Sequence, residues 1–164
     1  MNNSQQLMSL IKNKAKQINI STQILLNRYF MERFLELIAN SKYKENFILK
    51  GGVLISTLVG VDKRTTNDMD FAFKNKSISV TEITNLLNDV IDDMFTITKI
   101  EHIRENQDSF GLRVFFNAQF ENIKTIIHID IVKYEEIIPS ERLFGYPLLL
   151  EDRSIGIYCY EVET

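Results

Sequence analysis

The chain has few of the residues that cross-link or interrupt polypeptides. A single cysteine, Cys159, among 164 residues excludes an internal disulfide, argues against a cysteine-based zinc site, and fits a reducing cytoplasm. Two prolines and six glycines leave no Pro/Gly-rich linker, and no internal repeat or low-complexity segment divides the sequence. No run approaches the roughly 18 apolar residues needed to span a bilayer, and the polar start "MNNSQQLMSLIKNKAK" lacks the apolar core of a signal peptide. A large excess of either charge is missing too. A net charge of -3 and a pI near 5.5 give no global attraction to nucleic acid or to an anionic membrane, so a polyanionic partner needs a local site. What is present is one domain's length of chain with 45% hydrophobic residues, enough for a sizeable core. A soluble cytoplasmic protein without a membrane partner is the expectation.

Apolar spacing predicts the elements. Leu7, Met8, Leu10 and Ile11 recur at helical intervals between Ser4 and about Lys16. Ser21 or Thr22 caps a second helix running to about Asn40, with Ile24, Leu25, Tyr29, Phe30, Phe34, Leu35 and Ile38 as a core-facing stripe. After "NSKYKEN" the run "FILK" reads as a strand ending at Gly51-Gly52, and "GVLISTLVG" as a short buried helix closed by Gly60. In "DMDFAF" Met69, Phe71 and Phe73 alternate with Asp68, Asp70 and Ala72, the mark of a strand with two distinct faces. Ser79 caps a helix from Val80 to about Asp93, and "MFTITKIEHI", "FGLRVFFNAQF" and "KTIIHIDIVKY" read as consecutive strands. Near the end, Ile155 to Tyr158 reads as a strand that leads into an acid-rich helical turn with Glu161 and Glu163. Helices followed by interleaved and then consecutive strands predict an α+β fold, a mixed β-sheet with helices packed on it.

The stretch "KGGVLISTLVGVDKRTTNDMD" carries the chemistry. Residues two apart on a strand share a face, so Asp68 and Asp70 project together with Cα atoms roughly 7 Å apart. Two ionised carboxylates that close repel unless a hard cation sits between them, and Mg²⁺ suits carboxylate oxygens. Paired glycines opening a helix let phosphate approach the backbone N–H groups at the positive end of the helix dipole. Asp130 is the candidate third carboxylate: "TIIHIDIVKY" reads as a buried central strand, where an ionised aspartate is costly unless paired or metal-bound. There Ile127, Ile129 and Ile131 face the core, and His128 shares the opposite face with Asp130.

"LKGGVLI", "RTTNDMDFAF" and "IHIDIV" together resemble the nucleotidyltransferase fold of the DNA polymerase beta superfamily, and more closely the AbiEii/AbiGii toxin family, from about Ser21 onward. The resemblance implies a polymerase beta-like core over residues 46–164 behind a helical lead-in of residues 1–45. It also implies transfer of a nucleoside monophosphate from an NTP to an acceptor with Mg²⁺ or Mn²⁺. The acceptor expected from such relatives is RNA, tRNA in particular, and the setting a bacterial toxin–antitoxin or abortive-infection (phage defence) system with a cognate antitoxin. Carried over residue by residue, Asp68, Asp70 and Asp130 match the metal-binding and catalytic acids, and Gly51 and Gly52 match the phosphate-binding turn. Arg64 matches an arginine placed before the acidic pair, and Lys50 the lysine before the glycines, where packing is an alternative role. The wider superfamily often has Gly-Ser where this chain has Gly51-Gly52, so phosphate contact here leans on backbone N–H groups.

Other readings stay open. The same fold can serve as an inactive nucleotide- or RNA-binding module, or nucleotidylate a small molecule such as an antibiotic. His128 is a general base or a wall of the site; Arg113 reaches the site face or solvent; Lys42, Tyr43 and Lys44 touch RNA or form a solvated helix end. Cys159 is read as a thiol without chemistry. A helix stopping after one turn gains little for its nucleation cost, which leads to the expectation that this chain is the N-terminal part of a longer protein.

Overall fold

The computed structural model describes residues 3–50, 68–74, 78–104, 110–134 and 141–160. The first helix, α1 (Ser4–Ile18), starts where the Asn3 side chain accepts the Gln6 N–H at 2.8 Å, and ends at Asn19, whose φ of 57° is left-handed. It buries Leu7, Ile11 and Ala15, one residue per turn. The second, α2 (Thr22–Ala39), is capped by Ser21, whose hydroxyl accepts the Ile24 N–H at 3.2 Å. The third, α3 (Val80–Val90), is capped by Ser79 and stops short of the expected Asp93. Ile91 is already extended there, and the Asp92 side chain turns the chain by accepting the Met94 N–H. The predicted helix over residues 52–60 lies outside the described residues.

Among the described residues seven strands form one mixed sheet: β1 (Phe47–Lys50), β2 (Asp68–Phe73), β3 (Phe95–Arg104), β4 (Phe110–Phe120), β5 (Ile123–Lys133), β6 (Glu141–Pro147) and β7 (Ser154–Tyr160). Their order is β3-β4-β5-β2-β1-β7-β6. The pairs β2–β5 and β1–β7 are parallel, and the other neighbours are antiparallel. The architecture is therefore α+β with a mixed sheet, as the order of elements predicts.

Two further features differ from the sequence reading. The edge strand β6, "ERLFGYP", was not predicted, because a glycine, a proline and two charged residues hide its pattern, and only Tyr146 is buried along it. The last strand does not yield to a helix after Tyr158. It continues through Cys159 and Tyr160, which are both buried, and the expected helical turn at 161–164 lies outside the described residues.

One face of the sheet carries the main core. Phe34 of α2 packs edge-on against Phe71 of β2 and Phe95 of β3, with ring centroids 6.4 and 5.9 Å away, and lies tilted on Phe116 of β4 at 5.3 Å. Each such ring contributes about 1.5–3 kcal/mol by leaving water. The period-two pattern sorts the strands as expected: Met69, Phe71, Phe73, Ile127, Ile129 and Ile131 all join this core. Their alternates face the other way, where Ile48, Ala72, Val132 and Tyr160 form a smaller buried cluster with Tyr134 and Tyr158 packed on it.

The middle of α2 is buried almost all round, including Asn27, Arg28 and Glu32. Glu32 accepts the Leu149 N–H at 3.0 Å and pairs with Arg28 at 3.3 Å, and the Arg28 guanidinium lies 5.2 Å from the Tyr146 ring centroid. This acid thereby ties the connection between β6 and β7 to the helix. Burial raises its pKa, against the lowering effects of the Leu149 N–H and Arg28.

Candidate active site

The second sheet face brings distant charges into one row. Lys50 pairs in register with Asp70, Asp70 with Asp130, Asp130 with Arg113, and Arg113 with Glu101. Register partners share a face, and neighbouring strands lie about 4.8 Å apart. Two carboxylates from the parallel strands β2 and β5 are thus immediate neighbours at the centre of the sheet, with a basic residue on each flank.

Asp130 is held firmly. The Arg113 Nε donates to its Oδ1 at 2.7 Å and Nη2 to its Oδ2 at 2.9 Å, a bidentate fork in which the Asp130 side chain is 14% and the Arg113 side chain 35% exposed. Of the two acids facing Arg113, Asp130 takes the fork, while Glu101 pairs with Lys99 of its own strand. Arg113 therefore reaches the site face, the first of the two readings left open for it.

The neighbouring row begins with Asp68, which pairs in register with His128; His128 in turn pairs with Phe115. The His128 and Phe115 rings lie 5.4 Å apart, so the imidazole lines the wall of this face against an aromatic neighbour. For Asp68 the backbone position at the start of β2 is described; its side chain lies outside the described residues, as do Gly51, Gly52 and Arg64. Of the predicted site residues, the sheet therefore brings together Lys50, Asp70 and Asp130, with Asp68 entering through its strand position.

Lys42 and Tyr43 stand away from this row. The Lys42 ammonium lies over the Tyr43 ring at 5.3 Å, and the Tyr43 hydroxyl reaches Asp89 of α3. Cys159 is a buried free thiol, and burial pushes its pKa up against a lowering effect of Arg142.

The donor chemistry suits a hard divalent cation: Asp70 and Asp130 offer carboxylate oxygens on one face, with Asp68 two residues from Asp70 on the same strand. Among the described residues no group of three or more His, Cys, Asp or Glu converges, so the described part of the site amounts to this pair. Among the same residues no helix is long and apolar enough to cross a membrane.

The model of the nucleotidyl transferase AbiEii toxin family, of type IV toxin–antitoxin systems, matches residues 33–164, and the chain belongs to that family. Among solved structures it is similar to a candidate nucleotidyltransferase from H. pylori, with TM-score 0.48 and 15% identity over 84% of this chain and 55% of that one. It is similar also to JHP933 from Helicobacter pylori, with TM-score 0.46 and 16% identity over 83% of this chain and 53% of that one. The chain spans about half the length of these two structures. No curated protein matches it.

Proposed function

We propose that the chain carries the catalytic core of a metal-dependent nucleotidyltransferase of polymerase beta-like fold, behind the α1–α2 lead-in, and that the whole protein moves a nucleoside monophosphate from an NTP onto RNA. The observation that carries this reading is the register pairing of Asp70 with Asp130 on one sheet face, in a chain of the AbiEii family. In the reaction an acceptor hydroxyl oxygen forms a bond to the α-phosphorus, and the bond from that phosphorus to the oxygen bridging to the β-phosphate breaks. Pyrophosphate leaves, and the hydroxyl proton passes to a base. A bound Mg²⁺ or Mn²⁺ supplies charge neutralisation of the triphosphate.

The chain's own groups take the other tasks. Asp68, Asp70 and Asp130 would hold the cation, and Asp130 would share it or accept the hydroxyl proton. Gly51 and Gly52 offer backbone N–H groups to the phosphates, while Lys50 and Arg64 add positive charge beside them. The family setting supports tRNA as the acceptor, a cytoplasmic site of action, a cognate antitoxin encoded beside the toxin, and a role in phage defence.

The test is incubation of the full native gene product with Mg²⁺, each α-labelled NTP and either total tRNA or an aminoglycoside as acceptor. Label should move to RNA with one or more NTPs and fail to move with Asp70→Ala. Nucleotide binding without any transfer would replace this reading with a binding module, and label on an aminoglycoside instead of RNA would change the acceptor class.

A further inference from the structure

Asp130 stands beside a like charge. Asp70 is its register partner across the parallel β2–β5 pair, and Asp130 itself is largely buried, so an ionised carboxylate here costs free energy through both repulsion and lost hydration. The compensating charge comes from the other side. Arg113 is the register partner of Asp130 on β4 and binds both of its oxygens, at 2.7 and 2.9 Å.

We infer that Arg113 is the positioning residue of this carboxylate: its fork fixes the plane of the Asp130 carboxyl group on the face it shares with Asp70, so that the pair is preset for a divalent cation. The inference rests on the metal-site reading of the Asp70–Asp130 pair. A fork with two donors fixes both the distance and the plane of the carboxylate it binds, whereas a lysine fixes only a distance. Each carboxylate oxygen keeps a second lone pair after accepting one bond from arginine, so the fork does not exhaust the ligand capacity of Asp130. The backbone reinforces the placement. The tight β4–β5 hairpin puts Arg113 and Asp130 equally far from its turn at Glu121–Asn122, and the ladder is regular from Gly111–Val132 to Phe120–Ile123. A register slip would send Arg113 to the core face and break the fork.

A purely structural cross-strand ion pair predicts something different. Its loss would lower stability and leave the cation requirement of the folded protein unchanged. Groups that orient a metal ligand from outside the coordination sphere commonly change metal affinity or activity by about 10–100-fold when removed.

The experiment is a titration with Mn²⁺ alone, read by loss of its free EPR signal, on folded wild type, Arg113→Ala, Arg113→Lys, Asp130→Asn and the Arg113→Ala/Asp130→Asn double variant. Arg113→Ala should raise the half-saturating Mn²⁺ concentration about 10–100-fold. Arg113→Lys should recover part of the loss, and the double variant should bind no worse than Asp130→Asn, because both changes act on one group. In the transfer assay, Arg113→Ala should lower kcat and raise the Mg²⁺ requirement while KM for NTP stays within about twofold. If Arg113→Ala does not fold, Arg113→Lys and Arg113→Gln carry the comparison. Wild-type Mn²⁺ affinity in the folded Arg113 variants, or independent multiplicative losses in the double variant, would overturn the inference. If wild type binds Mn²⁺ but transfers no NMP from any NTP to an acceptor, the transferase reading falls while the Arg113 result still decides this one; if wild type binds no Mn²⁺, both fall.

Discussion

Asp70 and Asp130 are register partners on neighbouring parallel strands, with Lys50 beyond the first and Arg113 beyond the second. Directly opposed like charges repel, and the flanking Lys50 and Arg113 offset that repulsion from either side. Asp70→Asn and Asp130→Asn should each lower nucleotidyl transfer by about 100-fold or more, the scale on which fixed charge at a transition state counts. Circular dichroism should show both variants folded. Transfer within tenfold of wild type in either folded variant would remove that residue from the site.

Gly111 permits the approach of β4 to β5 beside the Arg113–Asp130 pair. A Cβ built there would lie 2.6 Å from the Ile131 carbonyl oxygen and 2.8 Å from Val132 Cγ1, and the first of these is backbone that cannot swing away. Gly111→Ala should cost about 1–3 kcal/mol, the usual penalty for forcing extra atoms into a packed site. Urea unfolding measures it, and an unchanged midpoint would show that the strands give way more easily than the packing indicates.

Much of this face was legible in the sequence for a simple reason: period two is rigid. Once "DMDFAF" and "TIIHIDIVKY" are strands, Met69, Phe71, Ile129 and Ile131 must turn one way and Asp70 and Asp130 the other, as they do. What alternation cannot reveal is which strand lies beside which. The parallel β2–β5 pairing joins segments separated by α3 and two further strands, and nothing local to either segment encodes it. The Arg113 fork was closer to reach. With the hairpin turn at Glu121–Asn122, where Glu121 has a φ of 53°, counting back along both strands pairs Arg113 with Asp130. The buried charges of α2 were hidden for another reason: Arg28 and Glu32 look like a solvent-facing helical pair until the connection from β6 to β7 folds over them.

Two acids of α2 should respond to pH in opposite directions. Burial holds the Glu32 pKa above the usual carboxylate value, so its contribution to stability is full below about pH 4.3 and is lost as pH rises through the raised value. The hydrogen bond from Arg153 holds Glu36 below that value, so its contribution is present above about pH 4.3 and is lost as pH falls through the lowered one. Thermal unfolding across pH 3–7 should therefore show a smaller acid-side loss in Glu36→Gln than in wild type. Glu32→Gln should remove a decline on the rising side. Parallel curves for all three proteins would contradict these assignments.

Cys159 sits in the main core on β7, and burial raises its pKa. Its thiolate is correspondingly scarce and hidden at neutral pH. A disulfide reagent at pH 7.5 should modify it at least 100-fold more slowly in the native protein than in urea, and Cys159→Ser should leave transfer intact. Rapid native labelling would mean that β7 opens readily.

The central claim is that Asp70 and Asp130 together form a cation site, and equilibrium binding of Mn²⁺ in the presence of a non-hydrolysable NTP tests it most directly. The account predicts saturable binding by the wild-type protein, with Asp70→Asn and Asp130→Asn each weakening it at least tenfold while the fold persists. Equal Mn²⁺ affinity in wild type and both folded variants would contradict it.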